Sequence, residues 1–516
     1  MCEWRNHFSD GCKEAPLAGQ RLCILHSPDP GKDLASFNGT IEEKKRRLDF
    51  DFRGVVFPSD VSFTGTLTQA QFSDDAFVGT ASFRTARFDQ AARFDRVEFG
   101  KAVDFSYATF RGPVSFGAEP DRYSLPSSTV YGQRRSGALF KDAAVFDETR
   151  FLSGVSYAAA EFLATCSFRS TRFRRNPDKT SATEAASFHK AYFAGPVSFV
   201  TLWVDGSLDF SGARFIAELF LWGPFYRLPD SLATYFSDES RESEEHSRND
   251  IIAAKKNRHT PKIIFRDVLF GGSSNAFFRQ LDLTSTTFTG TNIATARFYR
   301  IRWPRVLWGK PVLDREKRSG RWGTFKCFLS HNTIADEFEL PPIFKVRNRK
   351  ADIRPTSEAR RICRDLKASL DDQRDFADAS DFYYAEMEIR RRREDTLRRP
   401  LSTLYWLASG YGERPLRALL TFFCLLLLFG AGFKSTWFTS RQSVKWRATE
   451  FSQSRPFQPS WSEAFGYSLR SLTLQNRDSY LQPFTTGAVH LALLGNGLGP
   501  TQLALFLLAM RRRFRR

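Results

Sequence analysis

Cys2, Cys12, Cys23 and His26 are the residues of this chain whose types and proximity could hold a metal ion, and the last two form a Cys-x-x-His pair. Three thiolates and an imidazole suit tetrahedral zinc, and four protein ligands close the site, so such an ion would be structural and not catalytic. The surrounding segment is rich in turn residues and poor in core formers, the composition of a small module that gains its fold from a metal. The x9 and x10 spacings are not those of a standard finger, and His7 could replace one of the four. The competing reading is of incidental cysteines in an N-terminal segment.

A second group of polar residues lies between two long apolar runs near the other end of the sequence. Spans are expected over about 416–438 and 485–510, each long enough at ~1.5 Å per residue to cross a ~30 Å hydrocarbon core. Between them Trp461 to Leu474 is short and amphipathic, and a polar turn follows through Gln475, Asn476, Arg477 and Asp478. Gly495, Gly497, Gly499 and Pro500 interrupt the second run, which allows either close helix packing or a hinge. Outer helix, half-helix, polar loop and inner helix is an order that resembles a two-span ion channel, over about the last hundred residues. The resemblance implies pore-loop candidates at Thr473, Leu474, Gln475, Asn476 and Asp478, gating-hinge candidates at Gly495, Gly497 and Gly499, and a homo-oligomer of four copies. The sequence departs from that pattern where ion selectivity is set, because no Thr-Val-Gly-Tyr-Gly follows Thr473. The alternative is an interfacial connector whose glycines are ordinary packing contacts.

The formal charge of +19 and pI near 9.7 would suit nucleic acid or an anionic membrane. The charge is unevenly placed: residues 50–220 carry equal numbers of basic and acidic side chains. Arg390 to Arg393, Arg398, Arg399, Arg414 and Arg417 cluster before the first apolar run, and Arg511 to Arg516 follow the second. These are topology signals that put both termini on the cytoplasmic side of an inner (plasma) membrane, with lipid as a partner and nucleic acid not expected. No signal-peptide pattern begins the chain, and Cys166, Cys327, Cys363 and Cys424 are scattered singly, in keeping with a reducing compartment. No Gly-x-Ser-x-Gly, phosphate-cradling loop or His-Glu-x-x-His is present, so an enzyme is not expected.

Phe supplies 52 residues and Met only 3, which points to one repeated aromatic slot. From Phe72, aromatics fall at 77, 83, 88, 94, 99, 105, 110 and 116, alternating five- and six-residue steps. The rhythm returns from Phe140 to Phe173, from Phe188 to Phe199 and, more loosely, from Phe265 to Phe298. Neither helical nor strand periodicity survives such a step, whereas a solenoid whose short sides each point one Phe inward does. Small residues two positions before many aromatics, as in Ala86-Arg87-Phe88 and Ala108-Thr109-Phe110, suit the corners.

These segments resemble the pentapeptide-repeat family. The resemblance implies a right-handed quadrilateral parallel β-helix, here with ~22 residues per coil and a corner bulge in each six-residue step. Cys23 to His26 likewise resembles short zinc-binding heads that precede such repeats. Some family members resemble DNA and bind topoisomerases through a strongly acidic coil, which the balanced charge argues against.

The expected organisation is a Cys3His module over 1–40 and a β-helix over 45–300, with polar insertions near 118–137, 174–186 and 221–262. The third insertion contains the acidic stretch Ser237 to Asp250, expected to be disordered. An irregular cap follows over 301–350, then a basic helical linker over 356–399 broken near Asp371, Asp372 and Asp375, and a two-span membrane module over 415–516. Glu386 and Glu388 are expected on a solvated, ion-paired helix face. Functionally, the solenoid is expected to bind a protein partner and regulate an oligomeric, channel-like membrane module of unassigned selectivity. The alternative is a membrane-anchored scaffold without conductance.

Overall fold

The computed structural model describes residues 2–4, 12, 14–63, 80–117, 137–176, 184–225, 261–271, 276–307, 310–311, 330–337, 353–394, 398–440, 456–475 and 481–513. His7, Cys327, the acidic stretch 237–250, Asn476 and Asp478 lie outside the described residues. The chain divides into two compact units, Met1–Ser369 and Leu370–Arg516.

Very short parallel strands in the first unit stack into four sheets of six, six, eight and seven strands, with every fourth strand paired along the middle of the solenoid. Each sheet is one side of a four-sided coil, and equivalent positions recur every 22 residues where no longer segment intervenes, as in Ala81 beside Val103 and Arg87 beside Thr109. The inward Phe of each strand stacks on its equivalent one coil away. Phe57 on Phe88 has ring centroids 4.5 Å apart at 3°, and Phe88 on Phe110 is 4.4 Å apart at 10°. Adjacent columns meet edge to face, as Phe83 meets Phe94 at 5.8 Å and 82°. Burying each side chain contributes roughly 1.5–3 kcal/mol, and the offset and edge geometries add about 0.5–1.5 kcal/mol per pair.

The corners are made differently from the sequence expectation. The tight turn sits in the five-residue steps, where Ala86 donates its N–H to the carbonyl of Phe83 at 3.0 Å and Thr85 takes a φ of +57°. The same left-handed residue recurs two positions after an aromatic at Arg96, Tyr107, Glu148, Ser170, Lys190 and Thr201. In six-residue steps such as Phe88 to Phe94, the extra residue is absorbed in the bend before the strand, and the ladder stays in register at Ala92–Val114. Register shifts appear beside insertions, between Ser156 and Tyr157 and between Glu184 and Ala186.

Helix α1 (Leu34–Arg46) covers the first coil. Asp33 caps it by accepting from the N–H groups of Ala35 and Ser36, and its Phe37 meets Phe57 edge to face at 5.7 Å. At the other end the cap contains an antiparallel sheet of Arg305–Leu307, Lys310–Pro311 and His331–Asn332, where irregular chain was expected. Helix α2 (Ile353–Asp372) closes that end: Glu358 accepts from Gly290 N–H at 3.0 Å, Arg361 donates to the Thr291 carbonyl at 3.3 Å, and Ser369 donates to the Ala296 carbonyl.

The second unit is helical. It comprises α3 (Phe376–Arg393), capped by Asp375, α4 (Arg399–Ser409), α5 (Pro415–Lys434), α6 (Trp461–Leu472) and α7 (Thr486–Arg513). Helices α5 and α7 are long and apolar enough to cross a membrane. An antiparallel pair, Phe438–Ser440 with Leu481–Pro483, joins the ends of α5 and α7.

Candidate functional site

The four residues that the sequence suggested as metal ligands come together at the start of the first unit, with all their ligand atoms within 4.8 Å of one another. Cys12 Sγ lies 3.8 Å from Cys23 Sγ, Cys2 Sγ lies 3.8 Å from His26 Nδ1, and Cys23 Sγ lies 3.1 Å from the same nitrogen. A tetrahedron with Zn–S near 2.3 Å and Zn–N near 2.0 Å has S···S edges of ~3.8 Å and S···N edges of ~3.5 Å, so the cluster has the dimensions of a tetrahedral ion's ligand shell.

Four neighbours that sequence reasoning missed position it. His26 Nε2 lies 3.0 Å from the Arg53 carbonyl, an acceptor, which puts the proton on Nε2 and leaves the Nδ1 lone pair facing the cysteines. Trp4 stacks on His26 with centroids 4.3 Å apart and planes 6° apart. Gly54, at φ +65°, lies beneath that indole, where a Cβ would fall 2.3 Å from its ring carbons. The buried Lys32 ammonium donates to the carbonyls of Ile24, Ser27 and Val56 at 2.9, 3.2 and 2.6 Å and sits 4.3 Å from the centre of the Phe37 ring. No local motif announced these neighbours, because Arg53 and Val56 belong to the first coil.

Burial dominates the electrostatics of the head. It pushes the Cys23 thiol up to about 12, raises Cys12, lowers His26 and brings Lys32 down to about 8. Neutral Cys12 and Cys23 thiols and a neutral His26 imidazole are therefore favoured unless a cation sits among them. The donor set is that of a closed metal site, and no position is left for a substrate.

In the second unit, α6 is wedged between α5 and α7. Its first turn carries a capping box in which Ser460 and Glu463 satisfy each other's backbone N–H groups. Ser468 donates to the Leu426 carbonyl at 3.0 Å, and Ser471 donates to the Ala492 carbonyl at 3.3 Å and to Asn496 Oδ1 at 3.2 Å. The contact with α7 is a backbone approach: a Cβ on Gly499 would fall 2.1 Å from the Leu472 oxygen, and one on Gly495 would fall 2.6 Å from Ser471 Oγ. Nothing lies within 4 Å of a Cβ built at Gly497. Of the three hinge candidates, two are packing glycines and the third faces outward. Helix α7 runs unbroken through Pro500.

Thr473 ends α6, and the next turn has the Schellman pattern, with Leu474 N–H donating to the Ser471 carbonyl at 3.3 Å and Gln475 N–H to Arg470 at 2.7 Å. The left-handed position, usually glycine, is the exposed Leu474 at φ +61°. Since Leu472 meets Gly499, thirteen residues into the 28-residue α7, the α6 terminus reaches about halfway along that helix.

Glu386 and Glu388 are not on a solvated face as the sequence suggested; both are buried. Residues far along the chain cover them. Glu388 pairs with Arg391 at 2.8 Å, and Trp406 is sandwiched between the guanidinium groups of Arg391 and Arg417, 4.6 and 4.3 Å from its ring centre. The network ties α3 to the end of α4, the start of α5 and the end of α7. Glu413 accepts from Ser380 at 2.7 Å and Arg512 at 2.8 Å, Arg414 meets Asp381 at 3.1 Å, and Gln502 donates to the carbonyls of Ala408 and Ala418 at 2.7 Å each.

No protein-family model, no curated protein and no solved structure matches the chain.

Proposed function

We propose that this chain is a membrane protein of the pentapeptide-repeat type, in which a cytoplasmic, right-handed solenoid binds a protein partner and regulates an oligomeric two-span channel. The observation that carries the reading is the depth of α6. A helix ending halfway along two spans leaves non-helical backbone at Thr473 to Gln475 in the middle of the bilayer, at ~20 Å from the start of α7 by helical rise. Such backbone is tolerated at that depth only where it lines water or is covered by protein. The outward exposure of Leu474 and Gln475 supports completion of the site by further copies around a common axis, four in the channel resemblance. Both termini would lie in the cytoplasm of the inner membrane, flanked by the arginine clusters.

Regulation would pass along the chain from α2, on the last coil, into α3 and from there through the Ser380–Glu413–Arg512 and Asp381–Arg414 contacts to the bases of the spans. The metal in the head is zinc in this reading. Three thiolates overbalance the dication by one charge, which the Lys32 ammonium offsets.

A scaffold without conductance is favoured by a different feature, the missing Thr-Val-Gly-Tyr-Gly after Thr473. Ion flux into liposomes holding the full-length protein separates the two. Flux that is altered by Thr473→Ala and Gln475→Ala, and lost on removal of residues 461–483, supports the channel. Flux that is absent, with oligomeric protein correctly inserted and the solenoid's partner present, would leave the scaffold.

A further inference from the structure

Helix α4 has its polarity inside out. Its inner side presents the half-buried Tyr405 and Trp406 and the buried Ser409 to the rest of the unit, while Leu401, Leu404 and Leu407 stand 70%, 62% and 55% exposed at successive three-residue intervals, with Pro400 on the same side. Three exposed leucines on one helical stripe are costly in water, at roughly 1.5–3 kcal/mol each relative to burial. We propose that α4 lies in the headgroup region of the bilayer on the side where α5 begins, with its leucine stripe in the acyl boundary and Arg398 and Arg399 on anionic lipid phosphates.

The occupant of this face follows from where the helix is held. Only Gly410 to Arg414 separate α4 from α5. Thr421, next to the exposed Leu420 of α5, donates to the Leu407 carbonyl at 3.2 Å, and Gln502 of α7 holds the Ala408 carbonyl at 2.7 Å. The leucine stripe therefore continues onto the apolar outer surface of α5 at the level where that helix enters the membrane. Charge agrees with this placement: Arg398 and Arg399 are exposed at the start of α4 and meet no carboxylate among the described residues. Apolar side chains on one stripe with cations at the helix end is the pattern of an interfacial helix, and each arginine near an anionic leaflet is worth about fivefold in binding.

The inference rests on the membrane reading of α5 and α7, and one experiment tells their failures apart. Nitroxides are placed singly at Leu404→Cys and at Leu427→Cys, on the outer face of α5, in full-length protein carrying Cys424→Ser, reconstituted in phosphatidylcholine with phosphatidylglycerol. Collisions with oxygen and with a water-soluble nickel chelate are then compared. Expected is oxygen exceeding nickel at both sites, with position 404 the shallower. Nickel access at 404, or shielding from both reagents by a second copy, with 427 still in lipid, would overturn the interfacial placement alone. Nickel access at 427 would overturn the membrane reading itself. The relative association of spin-labelled phosphatidylglycerol over phosphatidylcholine should fall roughly fivefold for each of Arg398→Gln and Arg399→Gln; no change would overturn the lipid-phosphate contact.

Discussion

The solenoid and the helical unit solve opposite packing problems. In the coil, Phe is inside and charge is outside: Phe83, Phe88, Phe94 and Phe99 are all buried, while Arg84, Arg87, Arg93 and Glu98 line the outer faces. In the helical unit Leu420, Phe423, Leu427, Leu428, Leu493 and Leu494 are exposed, and Ser468, Ser471, Gln502, Glu388 and Glu413 are buried. The first arrangement is favourable in water, and the second would be favourable in lipid. Water rewards the burial of aromatic surface, whereas lipid offers no such gain and leaves hydrogen bonds and close backbone approach to hold helices together.

The Cys3His head has neither a Phe stack nor an exposed apolar face, so breaking its cluster should have the largest local effect. Cys23→Ser should abolish stoichiometric zinc and the protease resistance of residues 14–33 while leaving the coil folded, as metal analysis and limited proteolysis would show. Acid should act in the same direction. Burial lowers the His26 value below its ordinary 6.5, so the unfolded head binds the proton more readily and stability falls as pH drops below about 6.5. Resistance that is unchanged between pH 7 and 5 would refute a neutral His26 ligand.

Within the coil, Phe146→Ala removes a ring stacked on Phe105 and Phe168 and should cost about 3–5 kcal/mol in denaturant unfolding. Leu427→Ala in the helical unit should leave thermal stability in lipid within about 0.5 kcal/mol, because that side chain is largely exposed. Equal losses from the two would erase the contrast between the regions. Gly499→Ala sharpens it from the other side. A methyl driven against the Leu472 backbone should cost about 1–3 kcal/mol, whereas Gly497→Ala, on the open face, should be neutral or slightly stabilising. An effect of opposite sign is expected at Tyr157, which takes a Phe position in the column with its hydroxyl buried and without a partner. Tyr157→Phe should raise stability by about 1 kcal/mol; a loss would reveal a use for that hydroxyl.

The repeat was legible in sequence because one residue type in one slot is a one-dimensional signal, and the 22-residue coil follows from its five-six rhythm. The corners were not legible. Placing the extra residue in the six-residue step suggested a bulge there, but the backbone turns within the shorter step and puts ordinary side chains such as Thr85 and Tyr107 in the left-handed region. Helix α1 was also missed: its 13 residues show a weak apolar stripe, with Phe37 and Ile41 as the buried side chains. Glu386 and Glu388 were misplaced because the groups that bury them, including Trp406 and Tyr411, come from later in the chain.

By itself, then, the sequence determined what repeats and what is apolar, the Phe columns and the two long runs, and which four residues are candidate metal ligands. Tertiary structure alone decided which polar groups meet. Trp4 over His26, Lys32 on three carbonyls, Gly499 beneath Leu472 and Arg512 on Glu413 join positions with no local signature, because hydrogen bonds and close approaches are set by distance in space, and distance along the chain does not encode them.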